Sequence, residues 1–122
     1  MKIQESAENY LETILILSKK SSDVRSIDIV NELDFSKPSV SVAMKKLREN
    51  GYVNMDINGY ITLTKTGLKI AETMYERHTL LANYLTSIGV DRETATQDAC
   101  RIEHVISQQT FEKLREQYRK GN

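Results

Sequence analysis

Cys100, Glu103 and His104 stand at spacings i, i+3 and i+4 in the 122-residue chain. On a helix, that spacing turns a thiolate, a carboxylate and an imidazole towards one flank. Together these groups form a donor set for a first-row divalent metal ion. Asn9 and Glu12, again three apart, offer two more oxygens from a helix near the N-terminus. His78 falls inside an apolar helical stripe, where an imidazole needs a partner. Each residue alone has a plainer reading: a lone cysteine is usually a small buried apolar group, and a Glu-His pair on a helix is usually surface. Three ligand types on one helix, with candidate partners on two others, favour a metal site.

A second group suits nucleic acid. The chain carries 17 Lys+Arg and 17 Asp+Glu, a net charge of zero that argues against a generic polyanion binder. The charge is uneven, however: residues 1–36 hold four basic and seven acidic side chains, residues 37–70 six and two. The second block is a basic patch of the size needed by one DNA-reading helix and its wing. Ser36, Lys37, Pro38, Ser39, Ser41 and Val42 form a small, hydroxylated surface that can bond base edges or touch a thymine methyl. Lys45, Lys46 and Arg48 follow, placed for phosphates that set register.

The elements that must position these groups read mostly as helices. Tyr10, Leu11, Ile14, Leu15 and Leu17 predict a helix over 5–20. Ser26 would cap a short one over 26–33, Asp34-Phe35 make a turn, and Ser36 caps a third running to about Asn50. Pro38 is tolerated in its first turn, and Gly51 closes it. The apolar period then drops to two in YVNMDINGYITLT, which predicts a hairpin whose two-residue turn, Asn58-Gly59, takes positive φ at both positions. Asn58 at that tip would lie along the DNA backbone or minor groove. Thr64 caps a long helix to about residue 88, with Ala71, Met74, Tyr75, His78, Leu81 and Leu85 inward and Gly89 as its stop. Asp91 caps a fifth helix to about Ser107, and Thr110 opens a last one carrying Phe111, Leu114 and Tyr118.

Two short helices and a hairpin in this order predict a winged helix-turn-helix DNA-binding domain over 1–70, with metal-binding and dimerisation helices over 71–122. The fold class is mostly α. No apolar run approaches the length of a membrane span, and MKIQESAENY lacks the apolar stretch of a signal peptide. A single cysteine fits a reducing compartment, so the expected location is the cytoplasm.

The stretches SAENYLETILIL, FSKPSVSVAMKKLRENGYV, ITLTKTGLKIAE, ERHTLLANYL and DACRIEHVIS resemble the diphtheria-toxin-repressor family of iron- and manganese-dependent repressors over nearly the whole chain. The resemblance is most specific in C-x-x-E-H, the primary metal signature of the iron branch, and it implies that Cys100, Glu103 and His104 are ligands. It further implies that Asn9, Glu12 and His78 match the remaining ligands of the manganese branch's two-metal site. The sequence mixes the branches. The manganese branch usually has glutamate at the position of Cys100, while Asn9 stands where the iron branch has methionine and the manganese branch aspartate. Ala82 and Thr96 occupy ancillary-site positions, and the chain reads as a short form without the SH3-like domain. One or two ions per subunit are expected, with Fe²⁺ favoured over Mn²⁺ because a thiolate prefers the softer ion.

The implied function is a metal-dependent transcriptional repressor that binds operator DNA as a homodimer and controls metal-uptake or homeostasis genes. Metal joining the first helix to the 100–104 segment would fix the angle between two half-site readers. A metal-independent winged-helix regulator sensing an organic ligand or protein partner is the alternative. A small metallohydrolase would need a cleft and a nucleophile motif, neither of which the sequence offers.

Overall fold

A computed structural model describes residues 5–121. Met1–Gln4 and Asn122, which fall in the two predicted domains and in the stretch read as lacking a signal peptide, lie outside the described residues. The chain divides into two compact units, Met1–Thr73 and Met74–Asn122.

The first unit contains α1 (Glu5–Lys20), α2 (Ser26–Leu33), α3 (Lys37–Glu49), β1 (Val53–Met55), β2 (Ile61–Leu63) and the start of α4 (Lys65–Ser87). Leu11 and Ile14 of α1, Ile29 of α2 and Val40, Met44 and Leu47 of α3 are buried at the helical spacing their sequence predicts. Acidic Glu5 and Glu8 at the start of α1, with Lys19 and Lys20 at its end, complement the helix dipole. At the start of α2 the expectation needs correction. Arg25, not Ser26, is the N-cap, because the Asp28 carboxylate three residues on reaches back to accept the Arg25 N–H at 2.8 Å. Asp34 ends α2 in the left-handed region at φ 56°, which a short polar side chain tolerates. Ser36 caps α3 as expected, its Oγ accepting the Ser39 N–H at 3.2 Å, with Pro38 in the first turn.

The wing is a two-stranded antiparallel sheet with Val53 opposite Leu63 and Met55 opposite Ile61. β2 is also tied to the segment before α2, where the Ile61 N–H donates to the Val24 carbonyl at 2.7 Å. The tip differs from the two-residue turn expected at Asn58-Gly59. Only Gly59 takes positive φ there, at 82°, since Asp34 is the sole non-glycine residue in that region among the described residues. The Asp56 carboxylate accepts the N–H groups of Asn58 at 2.9 Å and Tyr60 at 3.0 Å. That side-chain turn favours a three-residue loop closed by a left-handed glycine over the tighter turn.

The second unit contains the rest of α4 with α5 (Arg92–Ile102) and α6 (Gln108–Gly121). Leu81, Ala82 and Ala99 form its core, with Ile102, Ile106 and Leu114 packed against them. Two boundaries move. α5 stops at Ile102 rather than Ser107, and Ser107 rather than Thr110 caps α6, accepting the Thr110 N–H on its Oγ at 3.1 Å. Residues 103–107 therefore form a turn between helices.

Asp91 caps α5 as expected, with its carboxylate accepting the Thr94 N–H at 3.3 Å. Bonds from Thr94 hold the Asp91 carboxyl below its ordinary value of 3.8. A depressed carboxylate stabilises the fold above that ordinary value and loses its contribution as pH falls through the lowered one. Asp91→Ala should therefore melt earlier than the parent near neutral pH, with the gap closing in acid below 3.8. Thermal melts across pH check this; a gap that persists in acid would contradict the cap.

Candidate metal centre and nucleic-acid interface

α4 and the turn after α5 bring three of the candidate ligands together within the second unit. His78 Nδ1 lies 3.3 Å from Glu103 Oε2, and His104 Nε2 lies 3.3 Å from Glu103 Oε1. The side chain of Glu103 is fully buried, that of His104 is 2% exposed and that of His78 24%. Ionised carboxylates are rarely buried without compensation. Donors bound to one ion at about 2.1 Å stand roughly 3.0–3.4 Å from each other at octahedral or tetrahedral angles. The observed separations therefore fit shared coordination, and two imidazoles with one carboxylate are a donor set for a divalent transition ion. Each carboxylate oxygen faces a different imidazole, so Glu103, His78 and His104 would together hold a divalent ion.

Cys100 lies in the last turn of α5 and is exposed. Glu103, the C-cap of α5, keeps right-handed helical angles (φ −57°, ψ −26°) and its N–H still donates to the Ala99 carbonyl at 3.0 Å; its side chain is buried where that of Cys100 is exposed. His104 belongs to the turn proper. In the first unit, Glu12 is 4% exposed within the buried run Tyr10–Leu15 of α1, and Asn9 is half-buried, its carbonyl accepting the Thr13 hydroxyl at 2.8 Å.

Every residue expected to face DNA is exposed: Ser36, Lys37, Pro38, Ser39, Ser41, Val42, Lys45 and Lys46 along α3, and Asn58 at the wing tip. Val42 is 56% exposed, on the face of α3 opposite buried Val40, Met44 and Leu47. A concave surface there is lined by Ser26, Ser41, Lys45 and Arg48 together with the apolar Val42, Met44 and Met55, so two hydroxyls and two cations stand beside an apolar floor.

Residues 2–60 match the N-terminal DNA-binding domain of iron-dependent repressors, and residues 64–120 match their metal-binding and dimerisation domain. The transcriptional regulator MntR of Escherichia coli O157:H7 is 32% identical over 112 residues, covering 92% of this chain and 72% of that protein. The chain belongs to the iron-dependent repressor family. An uncharacterised helix-turn-helix regulator of Methanocaldococcus jannaschii is 30% identical over 93% of this chain and 92% of its own length. Among solved structures, a manganese-dependent transcriptional repressor in complex with manganese superposes with a TM-score of 0.84 at 26% identity, over 91% of this chain and 51% of that one. The manganese regulator SloR gives 0.83 at 27% identity, over 93% and 53%. The chain spans about half the length of these solved repressors. Membership carries the winged-helix fold and a family of metal-dependent transcriptional regulators; among the described residues no helix is long and apolar enough to cross a membrane.

Sequence reasoning missed one residue of this site. Arg77, next to His78, is 8% exposed and reaches the turn that carries Glu103. The spacing of Met74, Arg77 and Leu81 on one helical face was the available signal, overshadowed because arginine is seldom buried.

Proposed function

We propose that this protein is a metal-dependent transcriptional repressor, loaded with one or two divalent ions per subunit, that binds operator DNA as a homodimer. The observation carrying this reading is the convergence of His78 and His104 on the buried carboxylate of Glu103. Cys100 at the end of α5 and, by the family resemblance, Asn9 and Glu12 of α1 complete the ligand set. When bound, the metal supplies a cation that stabilises the conformation in which these ligands are gathered, and so favours it over others. Glu103 supplies the anionic ligand, His78 and His104 supply imidazole ligands, and α3 presents its serines and Val42 to base edges. Lys45, Lys46 and the wing tip at Asn58 hold the phosphates. Exposed Ile88 and Val105 of the second unit are apolar side chains that a two-fold contact would cover. The thiolate of Cys100 supports Fe²⁺ ahead of Mn²⁺, whereas the two solved structures named above are of manganese regulators. Metal-uptake or homeostasis genes in the cytoplasm are the fitting targets.

The test is an anaerobic DNA-binding titration at fixed salt with Fe²⁺, Mn²⁺ and Zn²⁺ supplied in turn. Metal should raise the affinity and a chelator should reverse it, with the order of midpoints naming the preferred ion. Binding indifferent to metal and chelator would favour the rival reading, a winged-helix regulator answering to an organic ligand or a partner.

A further inference from the structure

The turn between α5 and α6 carries Glu103 and His104; its N–H groups reach back to α5, from Glu103 to the Ala99 carbonyl at 3.0 Å and from Val105 and Ile106 to the Ile102 carbonyl at 3.0 and 3.2 Å. Carbonyls at a helix end need partners from elsewhere. Here they find one on α4. Arg77 Nη1 donates to the Glu103 carbonyl at 3.0 Å and to the Ile106 carbonyl at 2.9 Å, and Nη2 donates to Gln108 Oε1 at 3.0 Å. The guanidinium also lies over the Phe111 ring, 5.5 Å from its centroid. One side chain thus spans the turn from its first residue to the start of α6. Its neighbour His78 meets the other end of the same glutamate, with Nδ1 3.3 Å from Oε2. α4 therefore reaches Glu103 at two points: Arg77 bonds its backbone carbonyl, and His78 stands beside its carboxylate.

From this geometry we infer that Arg77 is a positioning residue for the metal ligands, a clamp on the Glu103 and Ile106 carbonyls that sets the Glu103–His104 turn before any ion arrives. The inference rests on the metal reading proposed above. Its chemistry is specific to arginine: a planar fork can feed three acceptors in fixed directions, whereas a lysine ammonium at that site is a single flexible point charge. Groups that orient metal ligands without touching the metal typically change affinity by about 10–100-fold when removed.

The test uses the full chain freed of metal, as wild type and as the Arg77→Lys, Arg77→Gln and Gln108→Ala variants. In the metal-free proteins, amide exchange over residues 103–107 should be faster in Arg77→Lys, with α4 and α6 protected as in wild type. In a Co²⁺ titration followed by visible absorption, the Arg77 variants should bind about 10–100-fold more weakly. Their d–d bands should also change shape, because misaligned ligands alter the field at the ion. Gln108→Ala, which removes one acceptor and leaves the fork, should shift the midpoint in the same direction by less. It and Arg77→Lys keep the test decisive should Arg77→Gln fail to fold. A folded Arg77→Lys with the wild-type Co²⁺ midpoint and spectrum overturns the inference, even if its turn exchanges faster. Wild type giving no Co²⁺ spectrum at all would instead overturn the metal reading.

Discussion

Glu103→Gln and His104→Ala should each abolish metal-dependent DNA binding while leaving helical content and oligomeric state unchanged. Glu103 is the residue both imidazoles address, one oxygen each, from a fully buried position. Glutamine preserves its shape and removes its charge, so any loss reports on the anion and not on packing. The metal midpoint should move by more than the roughly 10–100-fold that loss of a merely orienting group produces. Calorimetric or Co²⁺ titration of the variants, beside DNA binding at fixed salt, measures both halves of the effect. Cys100 should behave differently. It is exposed in the last turn of α5, and Cys100→Glu exchanges a soft donor for a hard one, so the response should move from Fe²⁺ towards Mn²⁺ without disappearing. A Glu103→Gln protein that keeps the wild-type metal midpoint would sink the ligand assignment.

Gly67→Ala should be among the most destabilising single-methyl additions available in the chain. A Cβ at Gly67 would stand 2.0 Å from the Tyr52 carbonyl oxygen and 2.9 Å from its carbon. Neither atom is a flexible side-chain tip that could swing aside. The Tyr52 carbonyl accepts the Thr64 N–H at 3.1 Å, and the Thr64 hydroxyl donates to the Gly51 carbonyl at 2.7 Å while accepting the Gly67 N–H at 3.1 Å. Relief of the clash must break the junction that joins the wing to α4. Overpacking ordinarily costs about 1–3 kcal/mol, and a clash against hydrogen-bonded backbone belongs at or above the top of that range. Against a total stability of about 5–15 kcal/mol, that is a large share. A fall in melting temperature of roughly 10 °C is expected. The wing should lose order first, so DNA affinity should drop even where the variant remains folded. An unchanged melting temperature would show that the Tyr52 carbonyl can move freely.

Most of the helices were legible in the sequence because their signals are local. An apolar stripe at period 3.6, a serine at the start of α3 and a glycine at its end act within one or two turns of chain, and Val40, Met44 and Leu47 are buried where that period puts them. The DNA-facing side chains of α3 followed by subtraction, as what the buried stripe leaves outside. At the wing tip and the start of α2, a carboxylate two to four residues away had intervened. Asp56 reorganised the wing tip by taking the N–H groups of Asn58 and Tyr60, against the strong local preference of Asn-Gly for a two-residue turn. Asp28 displaced the α2 cap by one residue in the same way.

The candidate metal site divides along the same line. Residue types and spacing alone nominated Cys100, Glu103 and His104, since ligand chemistry and the i, i+3, i+4 relation are both written in one short segment. Only the tertiary structure shows that Glu103 and His104 sit in a turn beyond the end of α5 and that His78 meets the same carboxylate. It also shows that Arg77, given no role by the sequence, bonds that turn from 26 residues away. The physical reason is the range of the interactions. Periodicity and capping report what a helix does with its own backbone. The partners of a buried carboxylate, and of carbonyls left over at a helix end, are chosen by whatever distant segment packs against them.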